Sequence, residues 1–254
     1  MLAVFFISIP IDAVDSEINT ALAAYVRTFS LWGRSTNLSV ELPYSSGTTK
    51  GAIDGIDLNR DFAGFNDAGI SMTINLLGAP ALTREDFLAL RQNPRPLIGI
   101  NLRLVPPTGY YEEDRLINVG ANRWAARIQV GTILPLRPRW LLEIAAGAWY
   151  FSDDDEFIAG KREQEPVYAV EAHLIHRFRP GFWLALDANF FTGGSQTIDG
   201  SELVDLQRNS RIGATLTVPF RQKNALKLVY STGTRTRFGT DFGQVVVAYQ
   251  RVLN

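Results

Sequence analysis

The side chains of this chain that could do chemistry are charged and amide groups placed two positions apart. Glu171 and His173 flank one alanine, and Asp187 and Asn189 flank another. In an extended strand, side chains alternate between two faces, so residues two apart share a face. A polar face of this kind can bind ions or polar solutes. The same alternation places on this polar face the residues Asn101, Arg103, Arg127, Gln129, Glu143, Glu171, His173, Asp187, Asn189, Arg211 and Lys227.

The elements that must position these side chains are β-strands with one apolar face. In residues 98–104, Ile98, Ile100, Leu102 and Leu104 alternate with smaller or polar residues. This period of two recurs along the chain and predicts half-buried strands. About twelve candidates result, an even number as in bacterial single-chain barrels. They lie near 2–10, 18–31, 36–44, 66–77, 96–106, 122–134, 140–151, 167–178, 182–191, 209–220, 225–235 and 241–252.

The connections between these strands alternate in length, which assigns turns to one end and loops to the other. Those at 32–35, 136–139, 179–181 and 221–224 are short, and those at 45–65, 107–121, 152–166 and 192–208 are long and polar. Outer-membrane barrels have short periplasmic turns and long external loops. The connection 78–95 is long on the turn side. Its Thr83-Arg-Glu-Asp86 resembles a capping box, so we expect a short amphipathic periplasmic helix near 83–91.

Aromatic residues gather near both ends of the predicted strands. One band lies near the turns and the other near the loops, as expected for the two interfaces of a bilayer. The turn-side band contains Trp140, Phe178, Trp183 and Phe220, and the loop-side band contains Tyr44, Trp124, Tyr150, Tyr168 and Phe190.

Composition leaves two orientations open. The chain of 254 residues is 46% hydrophobic and 20% charged, and it has no stretch apolar enough for a membrane helix. Its alternation also fits a soluble β-sandwich or large soluble barrel with the apolar face inside. The polar face, however, is rich in Gly, Ala, Ser, Thr and Asn, whereas a soluble exterior usually carries more Lys and Glu. We therefore expect lipid outside and a polar lumen inside.

Several segments, taken in order, resemble a known family. They are Tyr25-Val-Arg-Thr-Phe-Ser-Leu-Trp-Gly-Arg34, Leu38-Ser-Val-Glu-Leu-Pro-Tyr44, Gly78-Ala-Pro-Ala-Leu82, Pro107-Thr-Gly-Tyr110, Leu116-Ile-Asn-Val-Gly-Ala-Asn-Arg-Trp124, Asp187-Ala-Asn-Phe-Phe-Thr-Gly-Gly194 and Asp241-Phe242. Together they resemble the outer-membrane transporters of Gram-negative bacteria named for the meta pathway of phenol degradation. The resemblance implies an outer-membrane β-barrel that passes small molecules, aromatic or hydrophobic ones among them. It implies no catalytic residues.

The sequence thus predicts an all-β protein, a single antiparallel transmembrane β-barrel of about twelve strands, as one domain over 1–254. Residues 1–17 are either a truncated first strand or the remnant of a signal peptide. The expected function is passive uptake through a monomeric channel in the outer membrane of a Gram-negative bacterium. Its expected partners are membrane lipid and a small-molecule solute.

The lumen list contains a candidate constriction. Counting outward from the centre of each connection predicts which residues of neighbouring strands lie opposite each other. This count pairs Glu171 with Asp187 and Asp187 with Arg211, and it places His173 diagonal to Asp187. Two carboxylates side by side need a shared cation, which Arg211 or His173 could supply. We expect a charged belt of Arg103, Arg127, Glu143, Glu171, His173, Asp187, Arg211 and Lys227. It acts either as a selectivity site or as a salt-bridged plug that supports the wall.

Other functions have weaker signals. A structural or adhesive barrel without transport is one alternative, and an outer-membrane lipid hydrolase is another, although neither His173 nor the outward His176 has a serine signature beside it. The acidic run 153–156 could bind Ca²⁺ but lacks EF-hand spacing, so a solvated external loop is the preferred interpretation. No cofactor is expected, and the absence of cysteine excludes Cys-ligated metals. Net charge of −1 gives no reason to expect a nucleic-acid partner.

Overall fold

The computed structural model describes residues 12–53, 56–80, 90, 93–113, 115, 118–158, 160–221, 223–239 and 241–253. Strands dominate this part of the chain. They are β1 (Asp12–Leu31), β2 (Arg34–Ile53), β3 (Ile56–Phe65), β4 (Gly69–Leu77), β5 (Leu97–Val105), β6 (Ala125–Arg137), β7 (Trp140–Phe151), β8 (Arg162–Gln164), β9 (Val167–Arg179), β10 (Phe182–Gly193), β11 (Gln196–Ile198), β12 (Ser201–Glu202), β13 (Gln207–Pro219), β14 (Asn224–Arg235) and β15 (Gln244–Arg251).

Most strands form one curled antiparallel sheet. It has 12 strands in the order β1-β2-β4-β5-β6-β7-β9-β10-β13-β14-β15, with β3 also paired to β2. Sequential neighbours joined by short turns pair directly, as in an up-and-down meander. A separate 3-stranded sheet, β12-β11-β8, is built from the long connections on the loop side. The fold is that of a transmembrane β-barrel, as the sequence predicts.

Each predicted strand after the first has a counterpart in this sheet. The predicted strand 2–10 lies outside the described residues. So does the predicted helix 83–91, except for Leu90, whose backbone is helical. No helix in the described ranges is both long and apolar enough to cross a bilayer.

The connection 45–65, expected to be a loop, is instead a hairpin that extends the wall beyond β4. The C-terminal half of β2 pairs with β3, from Tyr44 opposite Phe65 to Ile53 opposite Ile56. Its hydroxyl side chains bridge strands: Thr48 Oγ1 donates to Asp61 Oδ1 at 2.6 Å. Threonine favours strands and supports cross-strand hydrogen bonds, so a largely polar run can form a strand.

The apolar faces of the strands point away from the concave side of the sheet. Leu186 is 58% exposed and Ile144 is 37% exposed, whereas the neighbouring Asp187 is 7% exposed. A soluble protein would bury the first two and expose the third. A bilayer requires large aliphatic residues on the outside of the sheet and polar residues on the inside, which is the arrangement seen here. The expected orientation is therefore confirmed.

Both aromatic bands are present on this outer face, with one exception. Trp140, Phe178 and Phe220 are exposed near the turns, and Tyr150 and Tyr168 near the loops. The outward His176 completes the turn-side band. Its ring centroid lies 4.5 Å from that of Trp140 and 4.7 Å from that of Phe178. Trp183 does not belong to the band. It lies an even number of residues from Asp187 on the same strand, so it points inward, and it lines the cavity inside.

Candidate functional site: a charged belt in the lumen

The concave face of the sheet borders a cavity of 2410 Å³. At one end it is lined by turn residues such as Gly181 and Lys223, and at the other by loop residues such as Tyr111 and Arg162. Between the two ends it is lined by Glu143, Glu171, His173 and Asp187, all from the predicted belt. The cavity thus runs along the strands from turns to loops, with charged residues partway.

The centre of the belt is a row of three side chains on adjacent strands. Glu143 on β7 lies directly opposite His173 on β9, which lies opposite Asp187 on β10. Nδ1 of His173 is 2.6 Å from Oδ1 of Asp187. Thr215 on β13 donates its hydroxyl to the other oxygen of Asp187 at 2.7 Å. Both oxygens of this buried carboxylate therefore have partners, which fixes its position in the wall.

A second group of charges lies across β2, β5, β6 and β9. Arg127 Nη1 is 3.8 Å from Oε1 of Glu171, and Arg127 Nη2 donates to Oδ1 of Asn101 at 3.1 Å. The guanidinium also stacks on Trp149, 5.3 Å from the ring centroid. On the neighbouring strand, Arg103 forms an ion pair with Glu41, with 2.7 Å between Nη2 and Oε2. The directly paired Arg103 and Arg127 are thus flanked by Glu41 on one side and by Glu171 on the other.

The predicted strand partners of Asp187 were wrong by two residues. Asp187 faces His173 and Gly213, whereas Glu171 and Arg211 both face Asn189. If the centre of a turn is misplaced by one residue, each residue is assigned a partner two positions away from its true one. The side chains stay on the predicted face, but the residue opposite each of them changes. Here the turn is centred one residue later than expected, and the pairing also shifts between Phe182 and Trp183. The inward face was therefore predictable, but the individual pairs were not.

Arg211 accordingly does not bind Asp187. Its Nη2 donates to Oγ of Ser231 at 3.2 Å and to the carbonyl of Phe242 at 3.0 Å. The guanidinium lies 3.7 Å from the centroid of the Phe242 ring. His173 and Thr215 bind Asp187 instead, and Lys227 on β14 lines the same cavity.

Sequence reasoning missed three members of the lumen site, Glu41, Trp149 and Thr215. For Glu41 a signal was present, because it alternates with Val40 and Leu42 on a predicted strand. Thr215 and Trp149 share the inward parity of Thr217 and Gly147, but neither carries a charge that would draw notice. An uncharged hydroxyl or indole becomes part of a polar site only through the strand that lies beside it.

The acidic run 153–156 is not a fully solvated loop. Asp154 is 1% exposed and forms a buried ion pair with Arg162, with 2.9 Å between Oδ2 and Nη2. Lys161 binds the exposed Asp153 and Glu163 at the surface. Within the described ranges, no group of three or more acidic or histidine side chains is arranged to hold a metal ion. Asp154 therefore joins segments of the loops, through Arg162, Tyr111 and Asn122.

Tyr111 also belongs to this loop cluster. Its hydroxyl donates to the carbonyl oxygen of Glu156 at 3.1 Å and to Oδ2 of Asp154 at 3.4 Å. Burial and the nearby charge of Asp154 raise the pKa of Tyr111 to about 12. The phenol therefore stays protonated and remains a donor across the physiological range.

Comparison with known proteins agrees with this architecture. The structure is similar to the crystal structure of an outer membrane channel from Pseudomonas putida F1, with a TM-score of 0.76 and 22% sequence identity. The match covers 94% of this chain and 85% of that chain. No curated protein sequence matches this chain significantly. A family model described as "Putative MetA-pathway of phenol degradation" matches residues 9–245. The chain therefore belongs to this phenol-degradation family of the meta pathway.

Proposed function

We propose that this protein is a passive channel for small molecules in the outer membrane of a Gram-negative bacterium. It would act as a monomer surrounded by lipid, driven by the solute gradient. The observation that carries the proposal is the cavity that runs from turns to loops inside a wall with an apolar exterior. Membership of the phenol-degradation family and the fold of an outer-membrane channel support it.

Selectivity in this proposal comes from the charged belt. Glu143 and Asp187 place two carboxylates at one level, next to His173 and near Lys227. Rings of charged side chains select ions in narrow pores, because a solute must exchange part of its hydration for contacts with the wall. A barrel of about twelve strands is narrower than an open porin, so these side chains lie near the path of any solute.

Small aromatic molecules are the solutes we propose. The name of the family points to phenol degradation. Aromatic side chains also line the cavity at several heights, with Trp183 near the turns and Phe157 and Tyr111 near the loops. Stacking on such rings adds to the burial of an aromatic solute. The belt between them would then admit the solute while it discriminates by charge.

Neutralising the belt carboxylates should change the ion selectivity of the channel. We expect Glu143→Gln combined with Asp187→Asn to move the reversal potential in a KCl gradient toward anion preference. The shapes of both side chains are kept, while two negative charges are lost. The measurement is single-channel recording of refolded protein in planar bilayers. Glu202→Gln, an exposed charge on β12 outside the barrel wall, is the control. An unchanged reversal potential in the double variant would refute the selectivity role.

The hydrolase alternative now has a specific geometric test. The His173–Asp187 pair resembles the base and the orienting acid of a catalytic triad, which would also need a nucleophile beside the other ring nitrogen. The residue opposite His173 on β7 is Glu143, not a serine. We expect no ester or phospholipid turnover by the refolded protein above that of His173→Ala. Turnover that disappears in His173→Ala but persists in His176→Ala would overturn the channel assignment.

A structural or adhesive role without transport is separated by solute flux. We propose that liposomes containing the protein swell in isotonic solutions of small phenolic solutes. Liposomes that swell no faster than empty ones, together with normal growth of a deletion strain on such solutes, would favour the structural role.

A further inference from the structure

Two buried arginines lie close together at the loop end of the cavity. Arg123, just before β6, is 6% exposed, and Arg162, at the start of β8, is 1% exposed. Arginine is rarely buried so fully unless its charge is paired and its five N–H groups are satisfied. The charges that act on Arg123 within the described ranges are Arg162, which repels it, and Asp154, which attracts it. The cluster thus has two buried positive charges near one negative charge.

The one carboxylate is already saturated with donors. Asp154 accepts from Arg162 at 2.9 Å and from the amide nitrogen of Asn122 at 3.1 Å. It also accepts from the hydroxyl of Tyr111 at 3.4 Å and from the backbone N–H of Glu156 at 3.3 Å. A carboxylate has about four lone-pair positions, so Asp154 has none left for Arg123.

Several arginine donors consequently have no acceptor. Nη1 of Arg123 and both Nε and Nη1 of Arg162 are buried without a hydrogen-bond partner among the described residues. Other contacts of these side chains are two oxygens and two rings. Arg123 donates to the amide oxygen of Gln164 and lies over the Phe151 ring at 4.6 Å. Arg162 Nη2 donates to the carbonyl of Ala121 at 3.2 Å, and the guanidinium lies over the Phe157 ring at 4.7 Å. Buried donors of charged groups left unpaired are costly, and a partly satisfied cluster is unfavourable unless something completes it.

Burial and the nearby Arg162 lower the pKa of Arg123 to about 9. The Arg123 guanidinium therefore still carries its charge at neutral pH, and the surplus positive charge of the cluster persists. Such a surplus is relieved by an anion that brings acceptor oxygens.

The cluster borders the lumen through Arg162, with Arg123 buried beside it. Arg162, Phe157 and Tyr111 line the loop end of the cavity, and residues of the charged belt line the same cavity nearer the turns. A solute that enters from the loops would therefore pass two aromatic rings and Arg162 before it reaches Asp187. An anion that completes the cluster would need acceptor oxygens, and an apolar part would let it contact the rings as well.

We propose that Arg123 and Arg162 form a binding site at the mouth of the cavity for the carboxylate of a small organic acid, with the apolar part of the acid against Phe157 and Tyr111. This proposal rests on the proposed channel function for its biological meaning, since it names a class of solute that the mouth would collect. Binding itself needs no transport. It can therefore be measured on refolded protein in detergent, separately from conductance.

The test compares benzoate with its neutral analogue benzamide and with inorganic phosphate, using isothermal titration of the refolded full chain. We expect benzoate to bind about tenfold or more tightly than either, because charge and ring are both recognised. We expect Arg123→Gln to lose about tenfold in benzoate affinity, because the surplus charge is gone while the Arg162–Asp154 pair is kept. Arg208→Gln, an exposed arginine at the outer end of β13, should bind as the wild type does.

Thermal melting separates a binding role from a structural one. Without ligand, Arg123→Gln should melt at or above the wild-type temperature, because it removes an uncompensated buried charge. A lower melting temperature for Arg123→Gln would indicate a structural arginine and overturn the proposal. Equal affinity for benzoate in Arg123→Gln, or equal affinity of the wild type for benzamide or for phosphate, would overturn it as well. None of these outcomes depends on whether the channel conducts.

Discussion

Leu186→Arg is expected to lower the free energy of unfolding by about 2–4 kcal/mol, the usual penalty for arginine on the lipid face near the bilayer midplane. Leu186 lies in the middle of β10 and is 58% exposed on the outer face. Arginine at this position would have to lie in hydrocarbon or bend toward the headgroups. The measurement is reversible urea unfolding of the protein in thin phosphatidylcholine vesicles.

Asn189→Arg is the matched control on the same strand. Asn189 points into the lumen and lies opposite Glu171 on β9. A guanidinium there meets water, the carboxylate of Glu171 and the guanidinium of Arg211, so attraction and repulsion oppose each other and we expect a change of less than about 1 kcal/mol. The comparison tests the orientation of the wall, on which every inference about the lumen depends. Equal penalties at both positions, or a larger one at Asn189, would contradict the membrane orientation.

Asp154→Ala should destabilise the loop cluster by about 3–5 kcal/mol, because removing one partner of a buried ion pair leaves the other charge uncompensated. Side-chain exposure is 1% for Arg162 and 0% for Asp154. The variant would leave both Arg162 and Arg123 buried without a negative partner among the described residues. The loss should be local, since the barrel strands hold their own backbone ladders.

Hydrogen exchange of the backbone amides of β8 and β11 measures this local loss. We expect faster exchange there in Asp154→Ala, with exchange in β9 and β10 unchanged. Asp155→Ala is the control, since Asp155 is the next residue and is exposed. If both variants exchange alike, the buried ion pair does not hold the loops. Faster exchange throughout the barrel would show that loops and wall unfold as one unit.

The strands and their orientation were predictable because both follow from local pattern. Ile98, Leu102 and Leu104 alternate with Asn101 and Arg103 whatever the neighbouring strands are. Short turns force sequential strands to pair, so the order of the sheet follows as well. The hairpin of β2 and β3 was not predictable in the same way. Its β2 half is mostly small and polar, and in its β3 half Arg60 interrupts the alternation of Ile56, Leu58 and Phe62, so the pattern of hydrophobicity is weak.

The individual contacts of the belt depended on register. Parity placed His173 and Asp187 on the same face, but their direct pairing required the position of the turn to within one residue. Arg211 was expected beside Asp187 and instead binds Ser231 and Phe242. Sequence pattern defines faces with a period of two, whereas partners are defined by the hydrogen-bonded ladder, which only the assembled sheet provides.

The amino-acid sequence by itself determined an all-β wall, with apolar side chains on its outer face and charged side chains on its inner face. That information is contained in alternation along single strands, because the pleat sends neighbouring side chains to opposite sides. The tertiary structure alone decided which charges meet, and it showed that Asp154, in an acidic run that looks solvated, is buried against Arg162. These contacts join residues from different loops and strands, and their energy depends on burial, which exists only once the chain is folded.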